Sequence, residues 1–199
     1  MTPDSDDTDA LVAKVAAAIE GGAAVVQYRN KRSSTHARRS QAHALAEACK
    51  ERDALFIVND DPKLARDIGA DGVHVGADDG DIAQARAIVG DARLVGVSCY
   101  DDFERARHAV SIGADYVAFG SFFASSVKPG ACRAKVELLQ RGRALRVPVV
   151  AIGGITSANA KMLIDAGASA VAVISDVFAH DDRAQVKRSA AAIAALFPR

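Results

Sequence analysis

Gln27, Arg29 and Lys31 alternate along the run Gln27-Tyr28-Arg29-Asn30-Lys31-Arg32. In an extended strand, side chains two residues apart share a side. One amide and two cations would then project together, a set that suits a phosphate. A polar strand end facing water has the same composition, so this run needs company. Acids supply it. In Asn59-Asp60-Asp61-Pro62, the proline suits a first helical position with Asp61 as its N-cap. That leaves Asn59 and Asp60 at a strand tip with no capping duty. Asp78, Asp79 and Asp81 follow a later strand. One of them caps the helix from Ile82, and another could join Asp60 in holding a divalent cation. Magnesium takes one or two carboxylates together with substrate phosphate oxygens. Acids alone repel a phosphate, so acids beside Arg29 and Lys31 suggest a metal bridge, with capping and solvation as the lesser alternative.

Further along, Ser125, Ser126 and Lys128 lie in the loop-like stretch Ser125-Ser126-Val127-Lys128-Pro129-Gly130. A lone lysine in a serine-rich loop is usually just solvated, but this one follows a strand, as the other candidates do. Gly153-Gly154-Ile155-Thr156 and the strand end Ile174-Ser175-Asp176 offer bare backbone N–H groups and a helix start. That is the usual phosphate cradle of a parallel barrel, although a Gly-Gly pair also makes a tight bend. Ser98 ends a strand and can hydrogen-bond a ligand. Cys99 has no base paired with it in the sequence and does not read as a nucleophile. His74, between Val73 and Val75, either lines the barrel or is a satisfied core residue, and the latter is the favoured reading. His36, His43, His108 and His180 show no ligand spacing.

The common place of these candidates is the end of a strand, and a loose repeat shows why. Gly22-Ala23-Ala24-Val25-Val26-Gln27 resembles Gly69-Ala70-Asp71-Gly72-Val73-His74-Val75. It recurs from Gly113 to Phe119 and from Gly167 to Val173. In each copy a helix ends at glycine and a short buried strand follows. The copies begin at 22, 69, 113 and 167, too far apart for one strand and helix, since a βαβ unit occupies ~30 residues. Each gap holds one more strand: Leu55 to Val58, Leu94 to Val97 and Val147 to Ile152. Seven strands alternate with amphipathic segments such as Asp81–Val89, Phe103–Ile112 and Ala158–Ala166. This predicts a parallel α/β sheet closed as a TIM (β/α)₈ barrel of one domain, 1–199. The copies occupy alternate strands, so one strand should precede the first. Only a helix over Thr8 to Glu20 stands there, and Met1-Thr2-Pro3-Asp4 is too short and polar for a core strand. The barrel is expected to lack most or all of its first strand.

Composition excludes other classes. The 25 basic and 25 acidic side chains among 199 residues cancel, so no polyanion surface is expected and nucleic acid is an unlikely partner. Cys49, Cys99 and Cys132 form neither a metal pattern nor a disulfide framework, which fits a reducing cytoplasm. The acidic stretch from Met1 to Asp9 lacks the basic start and apolar run of a secretory signal. No apolar run approaches the ~18 residues of a membrane span.

Taken in order, Gln-Tyr-Arg-Asn-Lys, Val-Asn-Asp-Asp-Pro, Gly-Val-His-Val-Gly, Gly-Val-Ser, Ser-Val-Lys-Pro-Gly and Ala-Ile-Gly-Gly-Ile-Thr resemble the thiamine-phosphate synthase family from about Ala10 to Phe178. The resemblance implies condensation of hydroxymethylpyrimidine diphosphate with a carboxylated or plain hydroxyethylthiazole phosphate. Thiamine phosphate and pyrophosphate result, through a pyrimidine methylene cation. It implies that Gln27, Tyr28, Arg29, Asn30, Lys31 and Asn59 hold the pyrimidine diphosphate, with Ser98 touching it. Arg29, Lys31 and Lys128 act on the departing diphosphate, and Asp60 and Asp79 hold Mg²⁺. The choice of Asp79 over Asp78 rests on the motif. Ser125, Ser126 and Val127 contact the thiazole phosphate with Gly154, Ile174 and Ser175. The family commonly has threonine at Val127, so one hydroxyl contact is lost. Members also begin with an apolar strand just before Thr-Pro-Asp, where this chain starts, and a homodimer is plausible by resemblance. Two other readings compete. A thiazole tautomerase-like isomerase would need neither the acid pair nor the diphosphate cradle, and a non-catalytic phosphate-binding barrel would draw on the missing strand.

Overall fold

A computed structural model describes residues 1–76, 82–124 and 133–198. Its seven strands are β1 (Val25–Tyr28), β2 (Leu55–Asn59), β3 (Gly72–Val75), β4 (Leu94–Tyr100), β5 (Tyr116–Gly120), β6 (Val149–Ile152) and β7 (Ala170–Ala172). They form one parallel sheet in sequential order. Between them run α1 (Thr8–Glu20), α2 (Thr35–Lys50), α3 (Pro62–Asp67), α4 (Ile82–Val89), α5 (Phe103–Ser111), α6 (Glu137–Gly142) and α7 (Ala160–Ala166), then α8 (Ser175–Phe178) and α9 (Arg183–Ala194). Residues from all seven strands, among them Gln27, Asn59, His74, Ser98, Ala118, Val150 and Ala172, line one cavity, so the sheet curves around it. The alternate residues, such as Tyr28, Phe56, Val73, Val95, Phe119 and Ala151, form the core between sheet and helices. Among the described residues, no helix is long and apolar enough to cross a membrane.

The repeat has a physical basis that goes beyond its glycines. Asp71, Asp115 and Ser169 hold the same place in the second, third and fourth copies. Each accepts, through its side chain, a backbone N–H at the start of the preceding strand: Phe56 at 2.7 Å, Val95 at 2.7 Å and Val149 at 3.1 Å. A buried strand start otherwise leaves that donor unmet. The first copy has Ala24 there, with no side-chain acceptor, and only its carbonyl accepts, from Leu55 N–H at 3.0 Å. Helix starts follow the expected capping. Asp61 accepts from Leu64 N–H at 2.9 Å and Pro62 opens α3, while Asp7, Ser34, Asp102 and Asp182 cap α1, α2, α5 and α9.

Met1 and Thr2 lie across the seam between the sheet's edges. The Met1 nitrogen donates to the Val173 carbonyl at 3.1 Å, just past β7, and Thr2 N–H donates to the Gln27 carbonyl of β1 at 2.9 Å. Thr2 is only 1 % exposed. Its hydroxyl accepts from Arg29 N–H at 3.0 Å and donates to the Arg29 carbonyl at 3.2 Å. The short polar start therefore links β1 to the chain just past β7 through backbone hydrogen bonds. On the outer layer α1 packs against α9, with Ala17 and Ala18 beside Ala190 and Ile193.

Candidate functional site

The cavity, about 360 Å³, opens at the carboxyl ends of the strands. On β1 burial alternates, with Val26, Tyr28 and Asn30 buried while Gln27 and Arg29 are half-buried against the cavity. Gln27 Nε2 donates to Asn59 Oδ1 at 2.7 Å, tying the tips of β1 and β2. Beyond them, Lys31 Nζ lies 3.4 Å from an Asp60 carboxylate oxygen. Asp60 has φ +63°, a conformation that short polar side chains tolerate better than most, and its N–H donates to the His74 carbonyl at 2.8 Å. Asp4 reaches this rim from the N-terminal segment. Its Oδ1 accepts from the Arg29 guanidinium at 3.3 Å and from Lys31 N–H at 3.1 Å.

The inner end of the cavity is built by three neighbouring strands. His74, Gly96 and Tyr116 are register partners across β3, β4 and β5. A Cβ on Gly96 would lie 1.9 Å from Tyr116 Cζ, so only glycine lets the phenol lie across β4. The Tyr116 hydroxyl is 3.1 Å from His74 Nδ1, and His74 Nε2 is 2.9 Å from Ser98 Oγ. Burial pushes the imidazole pKa down to about 4, which keeps it neutral near neutral pH. Burial also pushes the Cys99 thiol up to about 12. That thiol faces the core, so Cys99 is no nucleophile.

Opposite the charged rim, Gly153 and Gly154 follow β6 with φ +103° and +63°. A Cβ on Gly154 would come within 2.3 Å of the Ala124 carbonyl. The loop is held from below: Asn159 Nδ2 donates to the Gly154 carbonyl at 3.1 Å and its Oδ1 accepts from Thr156 N–H at 2.8 Å. Asp176 accepts from Ser157 N–H at 2.9 Å. Ile174 and Ser175, at the start of α8, complete this edge of the cavity. The expected helix start near Ala158 moves to Ala160, because residues 157–159 are spent on this turn.

The thiamine monophosphate synthase family matches residues 1–177. The chain belongs to that family. A thiamine-phosphate synthase of Thiobacillus denitrificans is 52% identical over 198 residues, covering 99% of this chain and 92% of the relative. One from Azoarcus sp. is 50% identical over 198 residues, covering 99% and 95%. In structure, the chain resembles a thiamine phosphate pyrophosphorylase from Pyrococcus furiosus, with TM-score 0.83, 33% identity, and coverage of 93% of this chain and 88% of that one. A 3-hexulose-6-phosphate synthase at 20% identity and TM-score 0.71 shares the fold alone.

Of the residues the family resemblance nominates, Gln27, Arg29, Lys31, Asn59, Asp60, Ser98, Gly154, Ile174 and Ser175 meet in the one cavity. Tyr28 and Asn30 do not reach it, because strand alternation turns them to the core. The Tyr28 hydroxyl donates to Gln41 Oε1 at 2.9 Å and its ring stacks on Phe56. Asn30 Nδ2 donates to the Ser5 carbonyl at 2.7 Å, and its Oδ1 accepts from the N–H groups of Arg32 and Ser33. Both shape the loop that carries Lys31. Asp79, Ser125, Ser126, Val127 and Lys128 lie outside the described residues. For His74 both alternatives hold: its ring nitrogens are satisfied and it lines the cavity. Tyr116, Asp4, Asn159 and Asp176 were missed. The inward alternation of Tyr116 with the buried Val117 was the available signal for one of them. Among the described residues, no group of three or more His, Cys, Asp or Glu side chains gathers as a metal site.

Proposed function

We propose that this member of the family condenses hydroxymethylpyrimidine diphosphate with hydroxyethylthiazole phosphate to give thiamine phosphate and pyrophosphate. The supporting observation is the two-ended cavity, with Arg29, Lys31 and Asp60 at one mouth and the Gly153-Gly154 turn with Ser175 at the other. One enclosure that can hold two phosphorylated molecules suits a condensation better than an isomerisation. Its frame is read as the (β/α)₈ barrel with the first strand reduced to the bridging Met1 and Thr2, and its buried thiols Cys49 and Cys99 suit a reducing cytoplasm.

Magnesium fits the residues present. Asp60 brings a hard carboxylate oxygen beside Lys31, the donor that magnesium shares with phosphate oxygens. Asp60 and Asp79 would hold it, and when bound it would stabilise the charge growing on the departing diphosphate. The chain's own residues do the remaining work. Arg29 and Lys31 bind the diphosphate as the methylene C–O bond breaks, and their charge favours the departing anion. The Gly153-Gly154 turn and the start of α8 hold the thiazole phosphate so that its ring nitrogen faces the methylene carbon. The new C–N bond forms there, and a carboxylated thiazole then loses CO₂.

The test is to incubate the purified chain with both substrates and magnesium chloride and to follow thiamine phosphate by chromatography. Product with magnesium and none with EDTA is expected. Binding of both substrates without product would contradict the reading.

A further inference from the structure

Tyr116, His74 and Ser98 form a hydrogen-bonded chain along the inner wall of the cavity, which all three line. Gly96 makes it possible, since any side chain there would displace the phenol from its place across β4. Ser98 stands two residues beyond Gly96 on the same face of β4, and it lines the cavity.

The chain has a direction. Both ring nitrogens of His74 meet hydroxyl groups and neither meets a carboxylate. A neutral imidazole carries one N–H and one bare nitrogen. If Nδ1 carried the proton, it would donate to the Tyr116 oxygen, and the phenolic O–H would need another acceptor. Among the described residues, its hydrogen-bond partner is His74. Tyr116 and Ser98 both line the cavity, so acidity decides between them. The phenol is the stronger acid of the two hydroxyls, hence the better donor to imidazole. The phenolic O–H therefore donates to Nδ1, and Nε2–H donates to Ser98 Oγ. With that lone pair engaged, the serine O–H is left to point at the cavity.

We infer that Tyr116 and His74 are positioning residues that set Ser98 as a hydrogen-bond donor, selecting a substrate that presents an acceptor atom there. On the synthase reading, on which this rests, that acceptor belongs to the pyrimidine substrate. Such a device distinguishes a ring nitrogen from an isosteric C–H, because a serine donor facing a C–H would lose its partner.

Two measurements test the inference. Nitrogen-15 NMR of the free protein should show His74 with its proton on Nε2; a proton on Nδ1 would overturn the assigned direction. Calorimetric titration with hydroxymethylpyrimidine diphosphate should show Tyr116→Phe, which keeps the ring on Gly96, binding about tenfold more weakly. Ser98→Ala should lose at least as much, and the double variant no more than Ser98→Ala alone, since Tyr116 acts through Ser98. Additive losses would show that Tyr116 merely supports the fold and would overturn the inference. Failure of the unaltered chain to bind the pyrimidine diphosphate would instead defeat the synthase reading. The histidine spectrum would still decide the direction of the chain.

Discussion

At the tips of β1 and β2 the anion-binding charge sits on side chains, Arg29 and Lys31, that already have acidic partners in Asp4 and Asp60. At the tips of β6 and β7 it sits on the backbone, in a glycine turn fixed by Asn159 and Asp176. The first rim can exchange partners as charge moves, which suits a diphosphate that arrives bonded and leaves free. The second rim is braced by the hydrogen bonds of Asn159 and Asp176, which suits a monophosphate that serves only as a handle. On the proposed function, one cavity would separate the group that reacts from the group that anchors.

That contrast can be attacked from either side. Arg29→Ala should lower kcat most, by roughly 10²–10³-fold, the scale of losing one charge-stabilising donor, with little change in melting temperature. Steady-state kinetics checks it. Gly154→Ala should follow, with on the order of 10²-fold lost in kcat/KM for the thiazole phosphate, because a Cβ at φ +63° meets the Ala124 carbonyl and the turn must shift. Equal loss for both substrates would break the contrast. Asn159→Ala removes the support of the same turn while leaving its glycines. It should raise the thiazole phosphate KM about tenfold and cost ~1 kcal/mol by denaturant unfolding. Asp4→Asn is the smallest. It keeps an acceptor for Lys31 N–H and removes the anion that competes for Arg29. The KM for pyrimidine diphosphate should fall two- to threefold at low salt, and the difference should vanish at high salt as surface charge is screened.

What could be read from the sequence follows periodicity. The seven strands, the glycine helix ends and the Asp61 cap were legible because each is a local pattern. Gln27, Arg29 and Lys31 were legible for the same reason, and alternation alone also predicts that Tyr28 and Asn30 face away. The floor was not legible. His74, Gly96 and Tyr116 become a row only through the register of three strands, which local patterning does not specify. The seam was hidden for another reason: Thr2 is polar and lies in a run too short for a strand, yet its hydroxyl and backbone find partners on Arg29 and Gln27. Asn159 and Asp176 act by holding a backbone turn, a task with no compositional signature.

The most direct test of this division of labour is two-substrate initial-rate analysis of the unaltered chain, Arg29→Ala and Gly154→Ala under one set of conditions. The division predicts that the KM for pyrimidine diphosphate rises in Arg29→Ala alone and the KM for thiazole phosphate in Gly154→Ala alone. If both variants move the same KM, the two rims do not hold different substrates and the account is contradicted.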